Sequence, residues 1–77
     1  MVTIKLFGSL RLKTGFKETE AYVSSVSEAC DILARITGWN RKDFRQCIII
    51  VNGKRSKLST KLKDGDELIF MAPAGGG

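Results

Sequence analysis

The chain has 77 residues, of which 43% are hydrophobic and 27% charged, and this composition is typical of one small globular domain rather than of a disordered segment. A domain of this size buries roughly 60% of its unfolded surface, so its core is small. The net charge of +5 favours acidic partners, while the lack of histidine removes the usual general base at neutral pH.

The first predicted element is a half-buried strand over residues 2–7, VTIKLF, because its side chains alternate in polarity. Alternation puts one set on one face (Val2, Ile4 and Leu6) and a second set on the other (Thr3, Lys5 and Phe7). Gly8-Ser9 ends the strand, and a short connection through Gly15 leads to a second strand near residues 20–23. These two strands are expected to form a hairpin.

The next predicted element is a helix over residues 25–38, SVSEACDILARITG. Ser25 or Ser27 can cap its first turn, and Gly38 is expected to end it in a left-handed conformation. The three- and four-residue spacing of apolar side chains predicts a buried stripe. The stripe consists of Val26, Ala29, Leu33 and Ile36, widened by Ile32. Asn40 is expected to cap a further helical turn that runs through Phe44.

Two more turns organise the C-terminal half. The apolar run over residues 47–51, β-branched from Ile48 onward, is followed by Asn52-Gly53, a strong two-residue hairpin signal, and a short return strand over residues 54–56. KDGD at residues 63–66 predicts another turn before the last strand, ELIFM, which is apolar on both faces. In that strand Leu68 and Phe70 lie opposite Ile69 and Met71.

This order of elements predicts an α+β fold, with a mixed sheet of four or five strands and one main helix packed on one face. The apolar last strand suits a central position beside the first strand, as in a β-grasp (ubiquitin-like) arrangement. We expect a β-grasp domain over residues 1–72 and a glycine-rich tail over residues 73–77. If the second sheet face is not also buried, Phe7, Ile69 and Met71 are candidate partner-binding residues on it.

The side chains offer little catalytic or metal-binding chemistry. Asp64, Asp66 and Glu67 are interpreted as turn and strand-start residues, so no metal site and no bound cofactor are predicted. Cys30 and Cys47 are too few for a disulfide framework and are interpreted as small buried hydrophobes. No apolar run approaches the ~20 residues of a membrane span and no signal peptide is visible, so a cytoplasmic location without membrane association is expected.

The chain ends in MAPAGGG, and this tail carries the clearest candidate chemistry. A run of glycines adds nothing to the fold, but it is thin enough for a narrow channel and leaves the terminal α-carboxylate unhindered. That carboxylate is ionised at pH 7 and can attack the α-phosphate of an ATP held by another protein. Pro73 has no N–H, so it ends the sheet ladder and directs the tail outward. The alternative is a frayed end without function.

Three stretches together resemble the MoaD/ThiS family of ubiquitin-like sulfur-carrier proteins across nearly the whole chain: KLFGSLRLKTG, VNGKR and LKDGDELIFMAPAGGG. The resemblance implies that an E1-like enzyme uses ATP to adenylate the terminal diglycine, Gly76-Gly77, and that the Gly77 carboxylate then becomes a thiocarboxylate. The E1-like enzyme would recognise Gly77 together with Gly76, Gly75 and Pro73.

The opening LFGSLR and the long first hairpin are more similar to MoaD, the small subunit of molybdopterin synthase, than to ThiS. The implied partners are an adenylyltransferase of the MoeB or ThiF type and a sulfur-accepting large subunit of the MoaE type, so the protein would be a carrier rather than an enzyme. Two alternatives stay open within the family: a carrier for thiazole synthesis and a protein modifier related to Urm1 or the archaeal modifiers. Outside it, a basic module could bind protein or nucleic acid through residues 41–45 and 54–63, but few aromatics accompany those cations.

Overall fold

A computed structural model describes residues 1–73, so the predicted site residues Gly75, Gly76 and Gly77 lie outside the described residues. The helices are α1 (Ser9–Thr14), α2 (Val26–Thr37) and α3 (Arg41–Arg45). The strands are β1 (Val2–Phe7), β2 (Glu18–Ala21), β3 (Ile48–Val51), β4 (Lys54–Arg55) and β5 (Glu67–Met71).

The five strands form one mixed sheet in the order β2-β1-β5-β3-β4. The last strand, β5, lies at the centre, parallel to β1 and antiparallel to β3. The outer strands β2 and β4 pair antiparallel with β1 and β3. The predicted central position of β5 is therefore confirmed. The chain leaves the sheet from this central strand.

One face of this sheet is buried against the helices. Strand residues alternate in burial, and the buried set of β1 and β5 comprises Val2, Ile4, Leu6, Leu68 and Phe70. These side chains form one core cluster with residues of α2 and with Phe44 of α3. The expectation that a helix covers only one face of the sheet is confirmed, because the other residues of β5 remain partly accessible.

The ends of α2 agree with the sequence, but two residues of its predicted stripe are not buried, since Ile32 is only partly buried and Ile36 is exposed. The Ser25 hydroxyl accepts a hydrogen bond from the Glu28 N–H at 3.3 Å, and Gly38 ends the helix at φ 79°. The prediction that Ile36 is buried is wrong, since its side chain is 47% exposed and Cys30 is buried instead. Around the helix axis, the midpoint between Cys30 and Leu33 lies about 90° from Ile36 and about 130° from Ile32.

The connection between β1 and β2 contains the helix α1, where a short turn was expected. Gly8, at φ 63°, turns the chain out of β1, and its carbonyl accepts a hydrogen bond from the Arg11 N–H at 3.1 Å. The Thr14 hydroxyl donates to the Leu10 carbonyl at 2.7 Å, and Gly15 ends the helix in the left-handed region. Leu10 is buried in the core. A helix of six residues is too short to show a periodic pattern, which explains why the sequence did not predict it.

Asp66 holds the turn before β5 in place and joins it to the hairpin turn at Asn52. Its carboxylate accepts hydrogen bonds from the Lys63 N–H and the Asn52 side-chain amide, both at 2.8 Å. The Glu67 N–H in turn donates to the Asn52 side-chain oxygen at 2.9 Å. The interpretation of Asp66 as a turn residue fits this geometry, because its carboxylate oxygens are already used by local donors.

We expect replacement of Asp66 by Asn to lower the thermal midpoint at pH 7 but to have much less effect at pH 2. Hydrogen bonds from the Lys63 N–H and the Asn52 amide hold the pKa of Asp66 below its ordinary value. A carboxyl group with a lowered folded-state pKa stabilises the fold above its unfolded pKa of about 3.9, and this contribution is lost as the pH falls through the folded value. Circular dichroism melts of both proteins from pH 7 to pH 2 measure the difference.

The matched control for this prediction is Glu20→Gln, which removes one exposed carboxylate from β2. It should change the midpoint little at either pH. A gap between wild type and Asp66→Asn that stays constant from pH 7 to pH 2 would contradict the assignment.

Candidate functional site

The end of β5 is the centre of the candidate site. Register places Met71, the last residue of β5, beside Phe7 on one side and Ile48 on the other. Ala72 still packs against the core, whereas Pro73 is exposed. Because proline has no N–H, Pro73 cannot extend the ladder, and the chain leaves the sheet between β1 and β3.

The sheet face away from α2 carries a continuous apolar surface at this end. It consists of Phe7, Ile48, Ile50, Ile69 and Met71, and we call it the open-face patch. Phe7, Met71 and Ile48 form one row across the strands, and Ile69 and Ile50 form the next. Phe7 is 46% exposed, and the other four are partly exposed. Contiguous apolar surface of this kind marks interaction sites, so the patch is a candidate docking surface.

The structure brings together three of the predicted site residues and adds two that the sequence did not indicate. Phe7, Ile69 and Met71 share the open face, as the alternation of their strands predicts. The sequence pattern placed Ile48 and Ile50 only in the apolar run over residues 47–51, without assigning them to a face. Alternation within that run, counted from the Asn52-Gly53 turn, is the sequence signal that could have placed them on the open face.

Charged side chains flank the second row of the patch. Lys5 lies beside Ile69, and Arg55 lies beside Ile50. The Lys5 ammonium is 3.0 Å from the Glu67 carboxylate, and the hydrogen bond and charge of Glu67 raise the pKa of Lys5. Surface ion pairs of this kind add little stability, so their main effect here is to set the charge around the patch.

Two cavities lie against α1, and the smaller one borders the place where the chain leaves the sheet. The larger, about 290 Å³, lies at the Phe7 end of the patch and is lined by Lys5, Leu6, Phe7, Arg11, Lys17 and Glu18. The smaller, about 160 Å³, includes Lys13, Trp39, Cys47 and Pro73 in its wall. The sequence did not indicate either cavity, because α1 contributes a wall to both.

The two thiols are poor candidates for sulfur chemistry. Cys30 is buried in the core, and the Cys47 thiol donates to the Asp43 carbonyl at 3.2 Å. Burial raises the pKa of each thiol to about 11. Because the thiolate is the nucleophilic form, both groups are almost entirely unreactive at neutral pH. The interpretation as a small buried hydrophobe is confirmed for Cys30 and is wrong for Cys47, which is only partly buried.

The part of the chain that the structure describes carries two further findings. No helix within residues 1–73 is long and apolar enough to cross a membrane. Over the same residues, no three histidine, cysteine or acidic side chains are grouped as a metal site would require.

A family model described as the ThiS family matches residues 4–77, which is nearly the whole chain and includes the terminal glycines. The chain belongs to the ThiS family. The resemblance found in its opening, central and terminal motifs is thereby confirmed, and with it the assignment to the ubiquitin-like sulfur carriers. A search of curated proteins gives no match for this ThiS-family chain.

Solved structures of proteins that are similar to this ThiS-family chain have the same β-grasp architecture. A chain in the BexX/CysO complex from Amycolatopsis orientalis is 26% identical, with both chains covered completely and a TM-score of 0.79. A chain in the complex of subunits 1 and 2 of the molybdopterin-converting factor from Helicobacter pylori is 25% identical, with 99% and 97% coverage and a TM-score of 0.68.

The small archaeal modifier protein SAMP1 from Methanosarcina acetivorans is 24% identical, with 99% of this chain and 95% of SAMP1 covered and a TM-score of 0.83. Together with CysO and the molybdopterin-converting subunit, it confirms the predicted β-grasp fold. Two of these three relatives were solved in complex with a second protein.

Proposed function

We propose that this protein is a sulfur carrier whose Gly77 carboxylate is adenylated, converted to a thiocarboxylate and used as a sulfur source in molybdopterin biosynthesis. One observation carries the proposal: the central strand β5 leads the chain out of the sheet at Pro73, beside an exposed apolar patch. The family match supports it, because it continues through Gly77.

In the proposed reaction, the chain supplies a carboxylate and another enzyme supplies ATP. A carboxylate oxygen of Gly77 attacks the α-phosphorus of ATP on an E1-like adenylyltransferase of the MoeB or ThiF type, and pyrophosphate leaves. A hydrosulfide equivalent from a donor then attacks the acyl carbon, and AMP leaves with the electron pair of the broken C–O bond. The adenylyltransferase recognises the thin segment that enters it, which includes Pro73, Gly75 and Gly76.

The thiols of this chain do not provide the sulfur in this scheme. With a pKa of about 11, neither Cys30 nor Cys47 is a thiolate at neutral pH. The carrier binds no cofactor of its own, and ATP is consumed by the activating enzyme. Both reactants, ATP and reduced sulfur, are cytoplasmic, so the proposal places the protein there.

The molybdopterin pathway is favoured by two observations. The opening LFGSLR is similar to MoaD, and the complex from Helicobacter pylori that contains subunit 1 of the molybdopterin-converting factor matches the chain over 99% of its length. The open-face patch would then dock the activating enzyme and a sulfur-accepting large subunit of the MoaE type in turn. The protein acts as a carrier and as the small subunit of that complex, not as a catalyst.

A second candidate, the protein modifier, shares the activation step and is favoured by the fold similarity to SAMP1. Nucleic-acid binding has less support. The basic residues of α3 are not all available for phosphates, because Arg41 pairs with Asp31 at 3.1 Å.

Intact-mass spectrometry tests the proposal. The protein, incubated with an E1-like enzyme, ATP and a sulfide donor, should gain about 16 Da as –OH becomes –SH at Gly77. Adding a MoaE-type subunit and its pterin precursor should return the carrier to its original mass. A return to the original mass only when thiazole synthase is added would indicate a ThiS-like carrier. A diglycine remnant on target lysines would indicate a modifier. No mass gain with any such activating enzyme would overturn the proposal.

A further inference from the structure

The larger cavity combines positive charge with an apolar wall. Three of its six lining residues are the cations Lys5, Arg11 and Lys17, and one, Glu18, is a carboxylate. Phe7 supplies apolar surface and also belongs to the open-face patch. The cavity is therefore a continuation of that patch and carries an excess of positive charge. We call it the cationic socket.

The cations of the socket are not equally available to a ligand. Lys5 already pairs with Glu67, at 3.0 Å. Within residues 1–73, neither Arg11 nor Lys17 forms an ion pair, and both are exposed. Only Glu18 opposes them inside the socket. The unmatched positive charge is thus concentrated on Arg11 and Lys17.

The backbone fixes the positions from which these two side chains extend. The Arg11 carbonyl accepts the hydrogen bond from Gly15 that ends α1, and the Lys17 carbonyl accepts one from the Leu6 N–H at 2.9 Å. Arg11 and Lys13 are two residues apart on α1, about 200° around its axis. Accordingly, Arg11 lines the socket while Lys13 lines the smaller cavity.

We propose that the cationic socket receives an aspartate or glutamate side chain of the partner that docks on the open-face patch, with an apolar residue of that partner against Phe7. This inference rests on the proposed function, because it names the chemistry of the partner that handles the tail. Charge complementarity supports it: a guanidinium can hold a carboxylate with two parallel hydrogen bonds. Phe7 joins the socket to the patch, so both contacts belong to one partner surface.

The first test measures adenylation kinetics with the E1-like enzyme, as pyrophosphate exchange at varied carrier concentration. Arg11→Glu should raise the KM for the carrier about tenfold or more with little change in kcat, because a partner carboxylate would face a like charge. Arg35→Glu is the matched control, because it makes the same substitution at an exposed position of α2 that lines neither cavity, and it should leave KM nearly unchanged. Glu18→Gln should lower KM.

The KM values of these variants distinguish a local carboxylate-binding site from a general effect of net charge. Equal increases in KM for Arg11→Glu and Arg35→Glu would mean that net charge alone matters, and the socket would be wrong. An unchanged KM for Arg11→Glu would also overturn it. Thermal melts of all three variants near the wild-type midpoint show that folding does not cause the differences.

A second test needs no enzyme, so it stands even if the proposed function fails. The ¹⁵N-labelled protein is titrated with the peptide N-acetyl-Leu-Glu-Leu amide and with its Gln counterpart. The Glu peptide should shift the amides of residues 5–7, 11 and 17–18 and bind at least about fivefold more tightly than the Gln peptide. Arg11→Glu should remove this difference. Equal binding of both peptides, or shifts centred on residues 54–63, would overturn the socket. A wild-type protein that passes this test but is never adenylated would refute only the sulfur-carrier proposal.

Discussion

Removal of Gly76 and Gly77 is expected to abolish thiocarboxylate formation while leaving the thermal midpoint of the domain unchanged. The reacting group is the terminal carboxylate, and two residues of extended chain span up to ~7 Å, so the shortened end would not reach the α-phosphate of ATP in the activating enzyme. The core cluster lies entirely within residues 2–72, so folding should not depend on the last two residues. Intact-mass spectra after incubation with the E1-like enzyme, ATP and sulfide measure the first effect, and circular dichroism measures the second.

The third glycine allows a sharper control for tail length. Removal of Gly77 alone leaves Gly75-Gly76 as a new terminal diglycine that is one residue, or ~3.5 Å, shorter. We expect this variant to be activated more slowly than wild type, but to gain the same mass. Full-rate activation of the variant that lacks both Gly76 and Gly77 would contradict the argument that only the full-length tail brings its terminal carboxylate to the α-phosphate.

Most of the fold could be predicted from the sequence because its signals are local. Asn52 and Gly53 both have positive φ, as the hairpin signal predicts, and Gly38 ends α2. The two-sided hydrophobicity of β5 predicted its central position. The helix α1 was missed because its stability depends on tertiary burial of Leu10 and on backbone bonds at Gly8, which six residues of sequence do not reveal.

The candidate site was only partly predictable, for a physical reason. Alternation within a strand assigns Phe7 and Met71 to faces, but only register shows that they are neighbours and that Ile48 completes their row. The cationic socket depends further on the direction of α1, which puts Arg11 beside Phe7. Charges that are separated along the chain become one site only when the helix and the sheet are packed together.

The position of β5 links stability to function in this small domain. Its buried residues, Leu68 and Phe70, belong to the core, while Ile69 and Met71 belong to the open-face patch. The same strand therefore holds the sheet together, presents part of the docking surface and leads to the tail. A change on the buried side of β5 should affect function through folding, whereas a change in the tail should affect function alone.

Replacement of Phe70 by Ala is expected to lower the free energy of unfolding by about 3–5 kcal/mol, as is usual for a fully buried phenylalanine. This loss is larger than that expected for any other substitution proposed above. Phe70 is 0% exposed, and its ring contacts Phe44 edge-on with 6.0 Å between ring centroids. A domain of this length has a free energy of unfolding of about 4–12 kcal/mol, so the change would remove a large part of it. Urea unfolding followed by circular dichroism measures the loss.

Two further variants show whether the loss comes from the core. Tyr22→Ala removes an aromatic ring that is 83% exposed and should cost less than about 0.5 kcal/mol. Phe70→Leu keeps most of the buried volume and should therefore cost much less than Phe70→Ala, because a smaller cavity remains beside Phe44. In activation assays, Phe70→Ala should lose thiocarboxylate formation in proportion to its unfolded fraction and recover it on cooling toward the temperature of greatest stability. If Phe70→Ala unfolded at the same urea concentration as Tyr22→Ala, β5 would not be the strand that holds this core together.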